Sequence, residues 1–284
     1  MVGRRRFLKF CVAAAACGVG GASYVFGLEP VWLRTVRCEI PLAGLDPALD
    51  GFTIAQLSDL HHGAGVPLSL FEQAVARAND ARPDIVALTG DFVHRGGGTG
   101  LEREIADILT GLQPRIGTYA VLGNHDAGVY RPGGGREAIR RAQVVSGALG
   151  SRGIAVLRNE VVTPVPGLRL AGLGDLWTGD FEPDRIHLDA TTVVLSHNPD
   201  TAPELAERGA GLILSGHTHG GQVSIPFLGP PILPVRLRQY HAGHYRLGEG
   251  QLYVNRGVGW LRRVRLFVRP EVTILTLRSA PVTT

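Results

Sequence analysis

Short apolar runs, each closed by a polar turn, recur along the chain and alternate with segments of helical periodicity. "FTIAQLS" (52–58), "DIVALTG" (84–90), "TYAVLG" (118–123), "TTVVLS" (191–196) and "AGLILSG" (210–216) have the length and apolar continuity of buried strands. Between them, "LSLFEQAVARAND" (68–80) places Leu70, Phe71, Ala74, Val75 and Ala78 along one side of a helix. Further helices are predicted over 101–112, 136–153 and 201–209. The alternation predicts βαβ units, hence an α/β fold. From about residue 154 the pattern shifts to short strands with Asn and Pro-Gly turns. There, and in the tail segments "QVSIP", "YHAGHYRL", "QLYVNRG" and "EVTILTL", it predicts antiparallel hairpins. The Gly-rich stretches "RGGGTG" and "RPGGGRE" read as surface loops. No internal repeat is evident, and no linker is long enough to divide the chain into separate domains.

Composition changes this picture mainly at the N-terminus. The 284 residues are 44% hydrophobic, enough for a sizeable core and too apolar for disorder. The net charge of +4 is carried by Arg4, Arg5, Arg6 and Lys9, since residues 1–28 hold no acid and the rest of the chain balances. A mature chain without net positive charge argues against a nucleic-acid partner. The segment "RRRFLK" followed by an uncharged apolar stretch resembles a twin-arginine export signal, which implies passage through the twin-arginine machinery. Residues 1–28 are therefore read as signal peptide or uncleaved membrane anchor, and 29–284 as the catalytic domain. A cut after Ala22 fits the small residues there. Without it, residues 10–28 are just long enough to span a bilayer, which takes ~17–25 residues. Either way the domain is expected outside the cytoplasmic membrane. Cys11 and Cys17 fall in the leader, so Cys38 is the single thiol beyond it, and neither a disulfide framework nor a thiolate metal site is open to the domain.

The chemistry lies directly after the apolar runs. Asp59 and His61 follow the first, Asp91 the second, Asn124, His125 and Asp126 the third, His197 the fourth, and His217 and His219 the fifth. A lone Asp or His in such a place is ordinarily a turn residue or a helix cap. Five runs ending in residues of one chemical type are not explained that way, and in α/β sheets ligands bind beyond the carboxyl ends of the strands. Oxygen and imidazole donors without sulfur suit Mn, Fe, Zn or Co. Seven donors exceed what one ion needs. The "GHTHG" segment adds a detail: in an extended backbone His217 and His219 point the same way.

The order D-x-H, G-D, G-N-H-D, lone H, G-H-x-H, standing here as "DLH", "GD", "GNHD", "SH" and "GHTH", resembles the signature of the calcineurin-like metallophosphoesterases. "SDLHHG", "GHTHGGQ" and the tail "YVNRGVG…RPEVTILTL" are similar to a bacterial branch of exported or membrane-anchored phosphoesterases. The resemblance implies a four-layer αββα sandwich of two mixed sheets flanked by helices. It also implies two divalent metal ions. Asp59, His61, Asp91 and His219 would bind one, and Asp91, Asn124, His197 and His217 the other, with one histidine of H-T-H for each. Such a pair holds a hydroxide for attack on a phosphoester. His125 would be a non-ligand that protonates the leaving oxygen, with Asp126 orienting its ring.

Other residues carry less. His62 and His94 are expected on a surface loop or at the substrate's edge, His241 and His244 at a hairpin, and Asp175 and Asp180 in a turn. The apolar, arginine-bearing segments 225–240 and 260–270 read either as a hairpin connection plus an edge strand or as loops that cap the cleft or touch acidic lipid headgroups. The expected substrate is thus a phosphoester, most simply a diester, with a lipid-linked one in view. The branch includes enzymes that cleave the pyrophosphate of UDP-2,3-diacylglucosamine, although an outward-facing domain is on the wrong side for that intermediate. A nuclease and a non-catalytic scaffold are the rival classes.

Overall fold

In a computed structural model describing residues 18–281, the apolar runs form strands whose alternate side chains serve two different cores. In β2 (Thr53–Leu57) Ile54 faces one core and Ala55 and Leu57 the other. In β3 (Ile85–Thr89) Ile85 and Ala87 diverge from Val86 and Leu88 in the same way. The period-2 geometry of a strand converts a continuous apolar run into two buried faces. The first sheet has the order β1-β12-β2-β3-β4-β5, with β1 at Arg34–Ala43, β4 at Gly117–Val121, β5 at Ala155–Val156 and β12 at Glu271–Ala280. The second has the order β10-β11-β9-β8-β7-β6, with β6 at Glu160–Val165, β7 at Leu168–Gly172, β8 at Thr192–Leu195, β9 at Leu212–Ser215, β10 at Gly243–Leu247 and β11 at Gly250–Val254.

Helices α1 (Leu68–Asp80), α2 (Leu101–Leu109) and α3 (Arg136–Gly150) bury their apolar sides against the outer face of the first sheet. The short α4 (Ala202–Glu207) lies on the outer face of the second. The inner faces meet in a core that includes Ile54, Val121, Val193, Leu195, Leu212 and Leu214. Both sheets are mixed, and the layers run helix, sheet, sheet, helix, as expected. Strands β2 to β5 are mutually parallel, as are β7, β8 and β9, so the βαβ reading holds.

Two expectations need correction. The tail segment "EVTILTL" is not a hairpin arm: β12 lies between β1, which it pairs in parallel along its whole length, and β2, which it pairs antiparallel. "QVSIP" forms no strand, because Gln222 and Phe227 adopt positive φ (58° and 68°) and Pro226 lacks an amide to donate. Its one bridge to the 260–270 segment, Val223 to Leu266, is isolated and extends into no ladder. Arg4, Arg5, Arg6, Lys9, Cys11 and Cys17 lie outside the described residues. Among the described residues no helix is long and apolar enough to cross a membrane.

Candidate active site

The nine residues singled out in the sequence come together beyond the carboxyl ends of β2, β3 and β4 in one sheet and β8 and β9 in the other. The two sheet ends are tied by Gln56, whose buried Nε2 donates to the Ser215 carbonyl (3.0 Å) and to Thr89 Oγ1 (3.1 Å). Five of the seven donors then turn sharply inward. Asp59, His61, Asp91, His217 and His219 all take left-handed backbone conformations, with φ of 53°, 51°, 58°, 68° and 50°. For non-glycine residues such conformations cost about 1–3 kcal/mol each, and they persist where the surroundings over-determine them. Their concentration at one spot marks it as functional. His217 and His219 are thus aimed by strained turns, not by strand alternation.

Two groups of ligand atoms result. Asp59, His61 and His219 form one, and Asp91, His197 and His217 the other, each with its donor atoms within 4.8 Å of one another. Nε2 of His61 lies 2.9 Å from Nε2 of His219, and Nε2 of His197 lies 3.2 Å from Nδ1 of His217. Asp91 Oδ2 stands between the groups, 3.5 Å from His61 Nε2 and 3.2 Å from His197 Nε2. A third triple, His61, His94 and His125, shares His61 with the first.

The donors fit divalent metals. Carbonyl oxygens fix the tautomers in the second group: His197 donates from Nδ1 to Thr89 (2.7 Å) and His217 from Nε2 to Pro234 (3.1 Å). That leaves His197 Nε2 and His217 Nδ1 as the nitrogens that face each other, where a cation, or a proton on His197, satisfies both. Asn124 Oδ1 is buried without a hydrogen-bond partner while its amide nitrogen donates to Val129 O (2.5 Å). Electrostatics agree. Burial and then His197 lower His217 to about 4, and burial holds His219 well below its ordinary range, which keeps both imidazoles neutral. Burial opposes the charged forms of Asp59 and Asp91, yet the histidines around them hold both carboxyls down. Burial likewise opposes charge on His197, but the facing Asp91 holds it well above its ordinary value. Positive charge is what this point attracts.

Glycines admit these approaches. A Cβ on Gly123 would strike the Asp91 carboxylate, and one on Gly216 would strike Ser58 and Asp59. Gly220 and Gly221 hold left-handed backbone, at φ 60° and 78°, and leave room for Val268 and Pro230 of the overlying loops.

His125 and Asp126 have separate tasks. His125 lies in the cleft with its Nδ1 donating to the main-chain carbonyl of His94 at 2.8 Å, and its ring stacks on His94 at 5.2 Å. The Asp126 carboxylate is spent elsewhere, accepting from the amides of Asp91, Phe92, Val93 and Gly123 at 2.8–3.1 Å. The expectation that Asp126 orients the His125 ring is therefore corrected: Asp126 clamps the β3 and β4 loops together. Burial, then the charge of Asp91, pushes its carboxyl up to about 7.

His94 lines the cleft. His62 does not: it is buried and its Nε2 meets Glu104 at 2.7 Å. Asp175 caps a turn through the amides of Trp177 and Thr178, Asp180 pairs with Arg158, and His241 and His244 bond to Arg238 and Gln251.

The cleft over the site encloses about 320 Å³, and Tyr130, Trp177, Leu261 and Arg262 share its walls. None of these four was singled out by itself in the sequence, although Leu261 and Arg262 belong to a segment read as able to cap the cleft. Trp177 meets His217 edge-on at 4.7 Å, and Tyr130 meets His125 at 4.9 Å. Gln222 explains the last letter of "GHTHGGQ". Its amide donates to the carbonyls of Arg262 and Val264 and accepts from Leu261 N, stapling that segment over the cleft. Arg265 is no surface arginine. It is fully buried and donates to the carbonyls of Arg256, Gly257, Gly259 and Val268, holding the loop that packs on Asp59.

An αββα sandwich with this donor cluster at the joined strand ends defines a phosphoester hydrolase of the metal-dependent kind. Residues 52–221 match the model of the calcineurin-like phosphoesterases, and the chain belongs to that family, whose members use divalent metals. It is 37% identical to phosphodiesterase YaeI of Escherichia coli over 98% of this chain and 100% of the relative. It is 32% identical to metallophosphoesterase YkuE of Bacillus subtilis, covering 97% and 98%. With the UDP-2,3-diacylglucosamine pyrophosphatase LpxG of Chlamydia muridarum it shares 26% identity over 89% and 92%. The chain is accordingly a hydrolase acting on phosphoester bonds.

Proposed function

We propose that this chain is a phosphodiesterase working with two divalent metal ions, and that it acts outside the cytoplasmic membrane after twin-arginine export. The observation that carries the two-ion reading is the position of Asp91 Oδ2 between two imidazole groups. Asp59, His61 and His219 would hold one ion, Asn124, His197 and His217 the other, with Asp91 available to both. When bound, the ions supply Lewis-acid stabilisation of the phosphoryl oxygens and a nucleophile at neutral pH. The chain's own residues do the rest. With Nδ1 committed to the His94 carbonyl, Nε2 of His125 is the atom that passes a proton to the leaving oxygen, in an imidazolium form that burial disfavours. Arg262, Trp177 and Tyr130 line the cleft where the ester's substituents sit. The diester preference is supported by the likeness to a protein named phosphodiesterase, and the export reading by "RRRFLK" in the leader.

The test is Mn²⁺-dependent hydrolysis of bis-p-nitrophenyl phosphate by the full chain in detergent, with D91A as the blank and bound metal measured on both. Turnover in wild type alone supports the reading. A wild type that holds two metals yet leaves the diester intact overturns the diester preference.

A second reading, cleavage of a lipid-linked pyrophosphate, is favoured by a groove of about 630 Å³ next to the cleft. Leu176, Leu233, Val235 and Leu237 line it, and it shares Trp177 and Pro234 with the cleft. Release of UMP from UDP-2,3-diacylglucosamine at rates above diester turnover would establish it.

A further inference from the structure

Apolar side chains crowd one border of the cleft with none of the described residues covering them. Phe227 is fully exposed, Leu228, Ile232 and Phe267 are 82%, 79% and 63% exposed, and Phe26 and Leu28 are about half exposed. They come from three segments that run side by side. The Arg265 amide donates to Val25 O (3.1 Å) on one side, and on the other Leu266 N donates to Gln222 O (2.9 Å) and Ser224 N to Leu266 O (2.9 Å). The strip also adjoins the site. Ile232 is two residues from Pro234, and Phe267 belongs to the segment that brings Leu261 and Arg262 to the cleft.

We propose that this strip docks on an anionic phospholipid surface, holding the mouth of the cleft against the bilayer. Two observations choose lipid over a protein partner. Residues 10–28 are uncharged and mostly apolar, and the described end of that run is the segment whose Val25 carbonyl is bonded to Arg265. An apolar leader set in a bilayer thus brings the bilayer to this face. Charge agrees: residues 222–240 and 260–270 hold six arginines and no acid. Arg265 is buried, but Arg236, Arg262 and Arg263 are exposed around the strip, where anionic headgroups attract them. Arg269 lies over the half-exposed Trp32 ring at 3.9 Å, an aromatic with the amphipathic character favoured at a membrane–water boundary. A peripheral patch of this kind, with aromatic and aliphatic side chains rimmed by arginines, buries its apolar portion at the headgroup boundary.

The docking is read without turnover, so it stands or falls apart from the assigned reaction. The full chain carrying Phe227→Trp is placed in vesicles of phosphatidylcholine and phosphatidylglycerol. Its added tryptophan emission over wild type is quenched either by lipids brominated high on the acyl chain or by aqueous iodide. I232W repeats the reading, and V144W, on an exposed position of α3, is the control. The expected result is loss of most of the added F227W and I232W emission to the brominated lipid, with protection from iodide, and the reverse for V144W. Added emission that stays open to iodide and untouched by the brominated lipid overturns the proposal. So does protection from iodide without bromine quenching, which would assign the strip to a second copy or another protein.

Discussion

Nδ1 of His125 donates to the main-chain carbonyl oxygen of His94 at 2.8 Å, so backbone geometry sets the direction in which the His125 ring presents Nε2. A general acid held this way can be removed without disturbing the metal ligands. His125→Ala is expected to keep wild-type metal content and lose about 10²–10⁴ in turnover. Asp91→Ala is expected to lose metal and turnover together, because its carboxylate faces both donor groups. Metal analysis alongside kcat separates the two, and equal metal loss in both variants would remove His125 from the role of acid.

Asp126 gives the complementary case. Its two oxygens accept four main-chain amides, so Asp126→Asn turns one acceptor into a donor facing amide donors. Leaving such buried groups unsatisfied costs about 1–3 kcal/mol. The variant is expected to unfold at lower urea and to bind metal more weakly, since the loops carrying Asp91 and Asn124 lose their clamp. An unchanged metal affinity with reduced kcat would instead restore a dyad with His125.

Gly257, at φ 70°, is held by its contacts: a Cβ there would lie 2.8 Å from the Asp59 Cβ and 2.9 Å from His219 Nδ1. Gly257→Ala adds backbone strain of about 1–2 kcal/mol. It is expected to weaken metal binding at the Asp59, His61 and His219 group while the Asp91, His197 and His217 group still binds. Titration with Mn²⁺ should show the stoichiometry fall by half.

Arg262 is the cationic side chain among the residues lining the cleft. Arg262→Ala is expected to raise KM for an anionic diester about tenfold, equivalent to ~1.4 kcal/mol, with kcat largely kept. A fall in kcat at constant KM would place the arginine on the transition state instead.

Glu271 predicts the acid response of stability. Burial alone would raise its carboxyl, but Arg256 and Arg34 hold it below 4.5, and Tyr253 and Thr273 also donate to it. A depressed carboxyl contributes stability that is present above the unfolded-state pKa and is lost as pH falls through the folded-state value. Urea unfolding from neutral pH downward should therefore show wild type losing stability below pH 4.5 more steeply than Glu271→Gln. At neutral pH that variant should be the weaker by about 1–3 kcal/mol, having taken the charge from the acceptor of two half-buried arginines. Parallel acid limbs would dismiss the ion-pair account.

Much of this protein was legible in the chain itself because the signals are local. The helix at Leu68–Asp80 matches its predicted bounds, and β2, β3, β4, β8 and β9 each coincide with a predicted run. The periodicities of 3.6 and 2 are written in neighbouring residues, and the metal donors follow directly where those strands stop. What the tertiary structure alone decided depends on which distant segments meet. β1 was not foreseen, because its place is set by parallel pairing with β12, more than 230 residues away. The same holds for Asp126, whose carboxylate is claimed by amides from two loops and not by the histidine beside it in sequence. Arg265 reads as one more surface arginine until the carbonyls that surround it are brought together. Local pattern specifies elements and donor chemistry, while the partner of each buried polar group is chosen by hydrogen-bond satisfaction across the whole fold.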